Sequence, residues 1–126
     1  MSFCATLITR LKANASLVTL VANRIYPVQL KQQDTLPAIR FNIVAAVATS
    51  AMGSDIGIIR YTYQFDVFTT TYTEQDAILV QMKASLVRWR QSGVQGSFWQ
   101  GNENDSYDDE LRVYRKRFDI EFIVEE

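Results

Sequence analysis

Apolar residues recur at four-residue spacing where the chain begins, with Phe3, Leu7 and Leu11 in line and Cys4 and Ile8 beside them. That spacing predicts an amphipathic helix over residues 2–13, which Ser2 can cap. Asn14 interrupts the pattern, and Leu17, Leu20 and Val21 predict a short second helix over residues 16–22. The period then changes. Arg24, Ile25 and Tyr26 run into Pro27, which cannot donate to a ladder, so a strand here is short and lies at a sheet edge. The polar run from Lys31 to Thr35 reads as a loop. After Pro37, Ile39, Phe41 and Ile43 alternate with Arg40 and Asn42, the period-two pattern of a half-buried strand that continues through an alanine-rich stretch to Thr49.

Residues 59–67 give the cleanest strand, with Ile59, Tyr61, Tyr63, Phe65 and Val67 on one parity and Arg60, Thr62, Gln64 and Asp66 on the other. Between these strands, residues 50–57 carry two glycines and predict the tip of an antiparallel hairpin that exposes Met52 and Ile56. Thr71 with Glu74 three residues on is a capping-box pattern that opens a third helix. Ile78, Met82, Ser85 and Trp89, with Leu79 and Leu86, form its core stripe; Gln81, Lys83, Arg88 and Arg90 lie outside it, and Gly93 stops it. The stretch from Gly93 to Leu111, rich in Gly and Asn, reads as a long loop holding Phe98, Trp99 and Tyr107. Tyr114, Phe118, Ile120, Phe122 and Val124 then alternate with Arg115, Arg117, Asp119 and Glu121 in a last half-buried strand.

The order of elements predicts an α+β fold: a small, mainly antiparallel sheet of about four strands with two to three helices packed on one face. At 126 residues the chain is one domain, 1–126, long enough to bury a core without staples. The position of the last strand in the sheet stays open, because a crossover or a return to the hairpin satisfies the pattern equally.

Composition narrows the chemistry. With no His, histidine triads, histidine general bases and histidine metal ligands are all excluded. One cysteine, Cys4, excludes an intrachain disulfide and multi-cysteine metal sites, and fits a reducing compartment. The glycines form neither phosphate-cradling spacing, so no cofactor is expected. A formal net charge of -1 gives no reason to expect a dedicated nucleic-acid binder. Arg10 and Lys12 break the apolar core a signal peptide needs, and no stretch approaches the ~20 apolar residues that span a bilayer, so a soluble cytoplasmic product without membrane contact is expected. Glu103, Asp105, Asp108, Asp109 and Glu110 form an acidic cluster that could ligate a cation or supply an acid–base pair; its spacing lacks the calcium-loop pattern, and a solvated acidic loop is the simpler reading. The basic run Arg112, Arg115, Lys116 and Arg117 sits on a strand, where alternate residues face opposite ways. Phe98 and Trp99 either anchor a partner or fold back to cap the core.

Several segments carry a resemblance. Arg24-Ile-Tyr-Pro27 follows two short helices; Leu36-Pro-Ala-Ile-Arg-Phe41 enters the first long strand; Gln64-Phe-Asp-Val-Phe68 precedes Tyr72-Thr-Glu and the helix to Trp89; Arg112 to Phe122 closes the chain. In that order they resemble the tail completion family of long-tailed bacteriophages and prophages, also described as tail terminator or head–tail joining proteins. The resemblance implies a non-enzymatic virion protein of the tail's neck region, assembled in the bacterial host cytoplasm. It further implies a ring of copies, a hexamer, that caps the head-proximal end of the tail tube, ends tube polymerisation and meets the head connector or stopper protein. DNA would pass through the lumen without sequence-specific binding. The tube-facing candidates are the hairpin-tip residues Met52, Ile56 and Ile58, with Phe98 and Trp99 second. The alternatives are another neck protein, connector or stopper, or a small metal-dependent enzyme using residues 103–110.

Overall fold

The computed structural model describes residues 3–22, 24–27, 36–51, 54–90 and 93–125, with side chains described throughout these except at 49–51 and 54–56. Two helices open the chain, α1 (Phe3–Lys12) and α2 (Ala15–Val21), followed by strands β1 (Ile25–Pro27), β2 (Ala38–Ala51) and β3 (Ser54–Thr69). Helix α3 (Tyr72–Leu86) then leads to β4 (Val94–Asp108) and β5 (Val113–Glu125). The proposed cap at Ser2 and the loop at 31–35 lie outside the described residues.

The strands form one sheet in the order β1-β2-β3-β5-β4. Only the β1–β2 pairing is parallel, with Ile25 opposite Ile39; the other three are antiparallel. The class is therefore the α+β one expected, with five strands instead of about four. The additional strand is β4, where the sequence predicts a loop. Its outer half shows no apolar alternation because residues 100–108 are exposed on nearly every position, and Gly101 (φ 81°) with Asn102 (φ 52°) makes an irregularity inside it. An edge strand of this kind is held by ladder hydrogen bonds to β5 and leaves little trace in hydrophobic periodicity. Strand β5 returns beside the hairpin and occupies an interior position, which settles the open question of its place.

All three helices lie on one face of the sheet. Phe65, Val67, Phe118, Ile120 and Phe122 from the strands meet Leu7, Leu11, Leu17, Ile78, Met82 and Leu86 from the helices in one buried cluster. The period-four stripe of α1 and the period-two stripes of β3 and β5 are thus two halves of the same core. Phe3 closes one end, stacked on Tyr61 at 5.4 Å and touching Phe122 and Trp89.

Local chemistry sets the helix ends. The Asn14 side chain accepts from the Leu17 backbone N–H at 3.1 Å, capping α2, while its Nδ2 donates to Ser85 Oγ at 2.8 Å and ties the α1–α2 corner to α3. Thr71 caps α3 by accepting from the Glu74 N–H, one half of the capping-box pattern; the return bond to the Glu74 carboxylate is not made, and its Oε1 is buried without a partner among the described residues. The helix ends at Leu86, well before Gly93, because the chain turns through Arg88 at φ 62° and brings Trp89 back onto the core. Trp89 keeps its expected burial without being helical: its backbone N–H donates to Ser97 Oγ at 2.7 Å, and the Arg10 guanidinium lies 5.1 Å from its ring centre.

Candidate assembly surfaces

The β2–β3 hairpin runs past the helical layer. Strand β1 covers β2 only from Ile39 to Phe41, and beyond that Ile43, Val44 and Val47 are 48%, 55% and 58% exposed on a stretch that also exposes Ala45, Ala46 and Ala48. The two strands stay paired out to Ala51 opposite Ser54. Of the tip residues singled out in the sequence, Met52 lies outside the described residues, as does the side chain of Ile56; Ile58 is half-buried between Thr49 and Glu125.

Phe98 and Trp99 are neighbours on β4, so alternation separates them. Trp99 turns to the helical side, where it stacks on Phe118 at 4.9 Å with the Lys83 ammonium 4.2 Å from its ring centre. Phe98 turns to the other side and stays 47% exposed. One of the pair caps the core and the other is offered to the surface; they do not form a joint anchor.

The sheet face away from the helices carries a charge cluster that periodicity does not reveal. Asp66, fully buried, accepts from Arg40 Nε (3.2 Å), Arg115 Nε (3.0 Å) and Arg117 Nε (3.1 Å). Burial pushes its carboxyl up, but the hydrogen bonds from Arg115, Arg40 and Arg117 together outweigh that and hold it below the ordinary aspartate value. The signal in the sequence is an aspartate near the end of the cleanest strand, with arginines on the strands that become its neighbours.

The acidic residues of β4 are taken into the fold. Lys116, on the helical side and largely buried, places its ammonium 3.1 Å from Glu103 and 3.0 Å from Asp105. Burial acts to lower its pKa, and the bonds to Asp105 and Glu103 reverse this and raise it. Asp108 Oδ1 accepts from the backbone N–H groups of Glu110 and Leu111 and shapes the β4–β5 turn. Among the described residues, no three cysteine or carboxylate side chains converge as a cation site, and no described helix is long and apolar enough to cross a membrane.

A small α+β module that uses its carboxylates as internal ties, and offers strand edges and apolar side chains outward, has the character of a structural building block. The sequence profile of the tail completion protein gp17 family matches residues 5–125, and the chain belongs to that family. It is thus a structural protein of bacteriophage-type virion tails. Among solved structures, a chain from the virion of a native gene transfer agent particle superposes with a TM-score of 0.71 at 15% identity, covering 95% of this chain and 92% of that one, a likeness of fold. No curated protein sequence matches.

Proposed function

We propose that copies of this chain close the head-proximal end of a tail tube as a ring, a hexamer, which stops tube polymerisation and presents a surface to the head connector or stopper. The observation that carries this reading is the hairpin β2–β3. It extends past the core with apolar side chains outward, in a chain whose family completes tails. Exposed apolar surface of this kind marks contact sites. The tip, residues 52–58, docks on the tube, and Phe98 is a second contact. DNA passes through the lumen without sequence-specific binding, in keeping with a formal net charge of -1.

Light scattering on the protein alone and with purified tail tubes, with negative-stain imaging of the mixture, tests the reading. A ring, or a cap at one tube end, is the expected result. A cap on isolated head connectors but never on tubes would instead make the chain a connector or stopper, and a monomer that ignores both would overturn the reading. The double variant Met52→Asp with Ile56→Asp should fold and lose tail joining; normal joining by that variant would remove the tip from the interface.

A further inference from the structure

Among the described residues the sheet has two open margins, and they match. On the β2 side, no described residue pairs with the outer edge from Asn42 to Ala51, and this run of the sequence has no charged residue. Soluble proteins usually blunt such an edge with lysine, proline or a covering segment. Here a bulge at Val44 bends the strand, but no charge or proline protects it. On the far side, β4 is the other margin, uncharged from Val94 to Asn102 and acidic from Glu103 onward.

The pairing register fixes how these margins lie relative to each other. Ile43, Tyr63, Ile120 and Trp99 share one rung; Ala45, Thr62, Glu121 and Phe98 share another; Ala48, Ile59, Val124 and Val94 share a third. The uncharged half of β4 is therefore level with the open half of β2. The charged half of β4 is level with the part of β2 that β1 covers, as the rung Arg40, Asp66, Arg117, Asn104 shows. Direction agrees as well. Three successive antiparallel pairings leave β2 and β4 running opposite ways, so a second copy in the same orientation, displaced sideways, sets its β2 antiparallel to the first copy's β4.

We propose that copies of this chain join edge to edge, the outer edge of β4 in one copy adding antiparallel to the outer edge of β2, residues 42–48, in the next. The occupant is a second copy because one chain supplies both margins, matched in height, charge and direction; a strand from another protein would account for only one of them. The contact is head-to-tail, the kind that closes into a ring when the rotation between subunits permits. Sheet twist at each junction supplies that rotation. Six residues of β2, 43–48, facing β4 would add about six backbone hydrogen bonds, with Ile43, Val44 and Val47 covered as they form. This inference rests on the ring reading above and specifies how the subunits meet.

Disulfide trapping tests it. In a Cys4→Ala background, Ala45→Cys is combined with Phe98→Cys, which share a rung and are both exposed. Val47→Cys with Phe98→Cys covers a two-residue stagger. Oxidation of the tube-bound assembly should give a ladder of multimers on a non-reducing gel with at least one pair, and at most dimers with each single variant. A second readout is Val44→Lys with Val47→Lys, which should keep the wild-type melting temperature and weaken assembly by more than about tenfold, as charge does on a pairing edge. Rings that form normally in the lysine variant and give no ladder with either cysteine pair would overturn edge pairing and leave the ring reading standing. Complete dimers from Ala45→Cys alone would mean two-fold pairing of β2 with β2 and would also overturn it. A wild-type chain that stays monomeric with and without tubes would remove both proposals.

Discussion

Replacing Asp66 with Asn removes the negative charge on which three guanidinium groups converge, while keeping the shape of the side chain. Each charge-assisted hydrogen bond is worth about 1.5–3 kcal/mol where it is fully realised. The three do not simply add. Burying the carboxylate already costs stability, and the arginine side chains remain 27%, 33% and 37% exposed, so water takes over part of their solvation when the partner is lost. A net loss of ~3 kcal/mol follows, at the lower end of what breaking a buried ion pair costs. On a domain of this size that corresponds to a fall in Tm of about 10 °C at neutral pH. Thermal melts followed by circular dichroism, at one protein concentration so that assembly contributes equally, measure it. The pH dependence adds a second condition. Because the folded carboxyl titrates below its unfolded value, its contribution is fully present above the unfolded pKa of about 3.9 and is lost as pH falls through the folded one. The gap between wild type and Asp66→Asn should therefore stay constant above about pH 5 and close progressively in stronger acid. A variant melting within about 2 °C of wild type at neutral pH, or a gap that does not shrink in acid, would refute the reasoning.

Asn14→Ala removes both the cap of α2 and the tie to Ser85, and should cost ~2 kcal/mol by chemical denaturation; Asn14→Asp keeps an accepting oxygen for the cap and should recover about half of that. Trp99→Ala strips a ring stacked between Phe118 and Lys83 and should cost about 2–3 kcal/mol, whereas Phe98→Ala, on the exposed side, should cost under about 0.5 kcal/mol in the same titration. Equal losses for these two would mean that the alternation along β4 is misassigned.

What the sequence revealed of the fold follows where burial is one-sided. Phe3, Leu7 and Leu11 on α1, and Phe65 and Phe118 on β3 and β5, are legible because each element has one dry face. Strand β4 was not, because its outer half is wet on both faces and its hold on β5 is made by backbone groups that all residues share. The sequence pattern carries α3 past its actual end at Leu86 because Trp89 continues the helical spacing while Arg88 has already left the helix. Of the candidate surface, the apolar character of the hairpin was legible in its alanine-rich run, but the open edge was not. An edge is a property of strand order, and strand order depends on pairings between segments far apart in the chain. The cluster at Asp66 was hidden for the same reason: it exists only once β2, β3 and β5 are in register.

The place of β5 bears on how the protein is made. It is the latest of the strands along the chain, yet it sits between β3 and β4, so β4 has no neighbour in the sheet until β5 is inserted. During synthesis the hairpin and α3 can form first, but neither outer margin is at its final distance from the other until β5 emerges from the ribosome. Such long-range pairing is slow. A chain interrupted before β5 lacks both the buried Phe118, Ile120, Phe122 and Val124 and the strand that sets its two edges at their final spacing, so incompletely made copies would not present the matched edges that the proposed pairing needs.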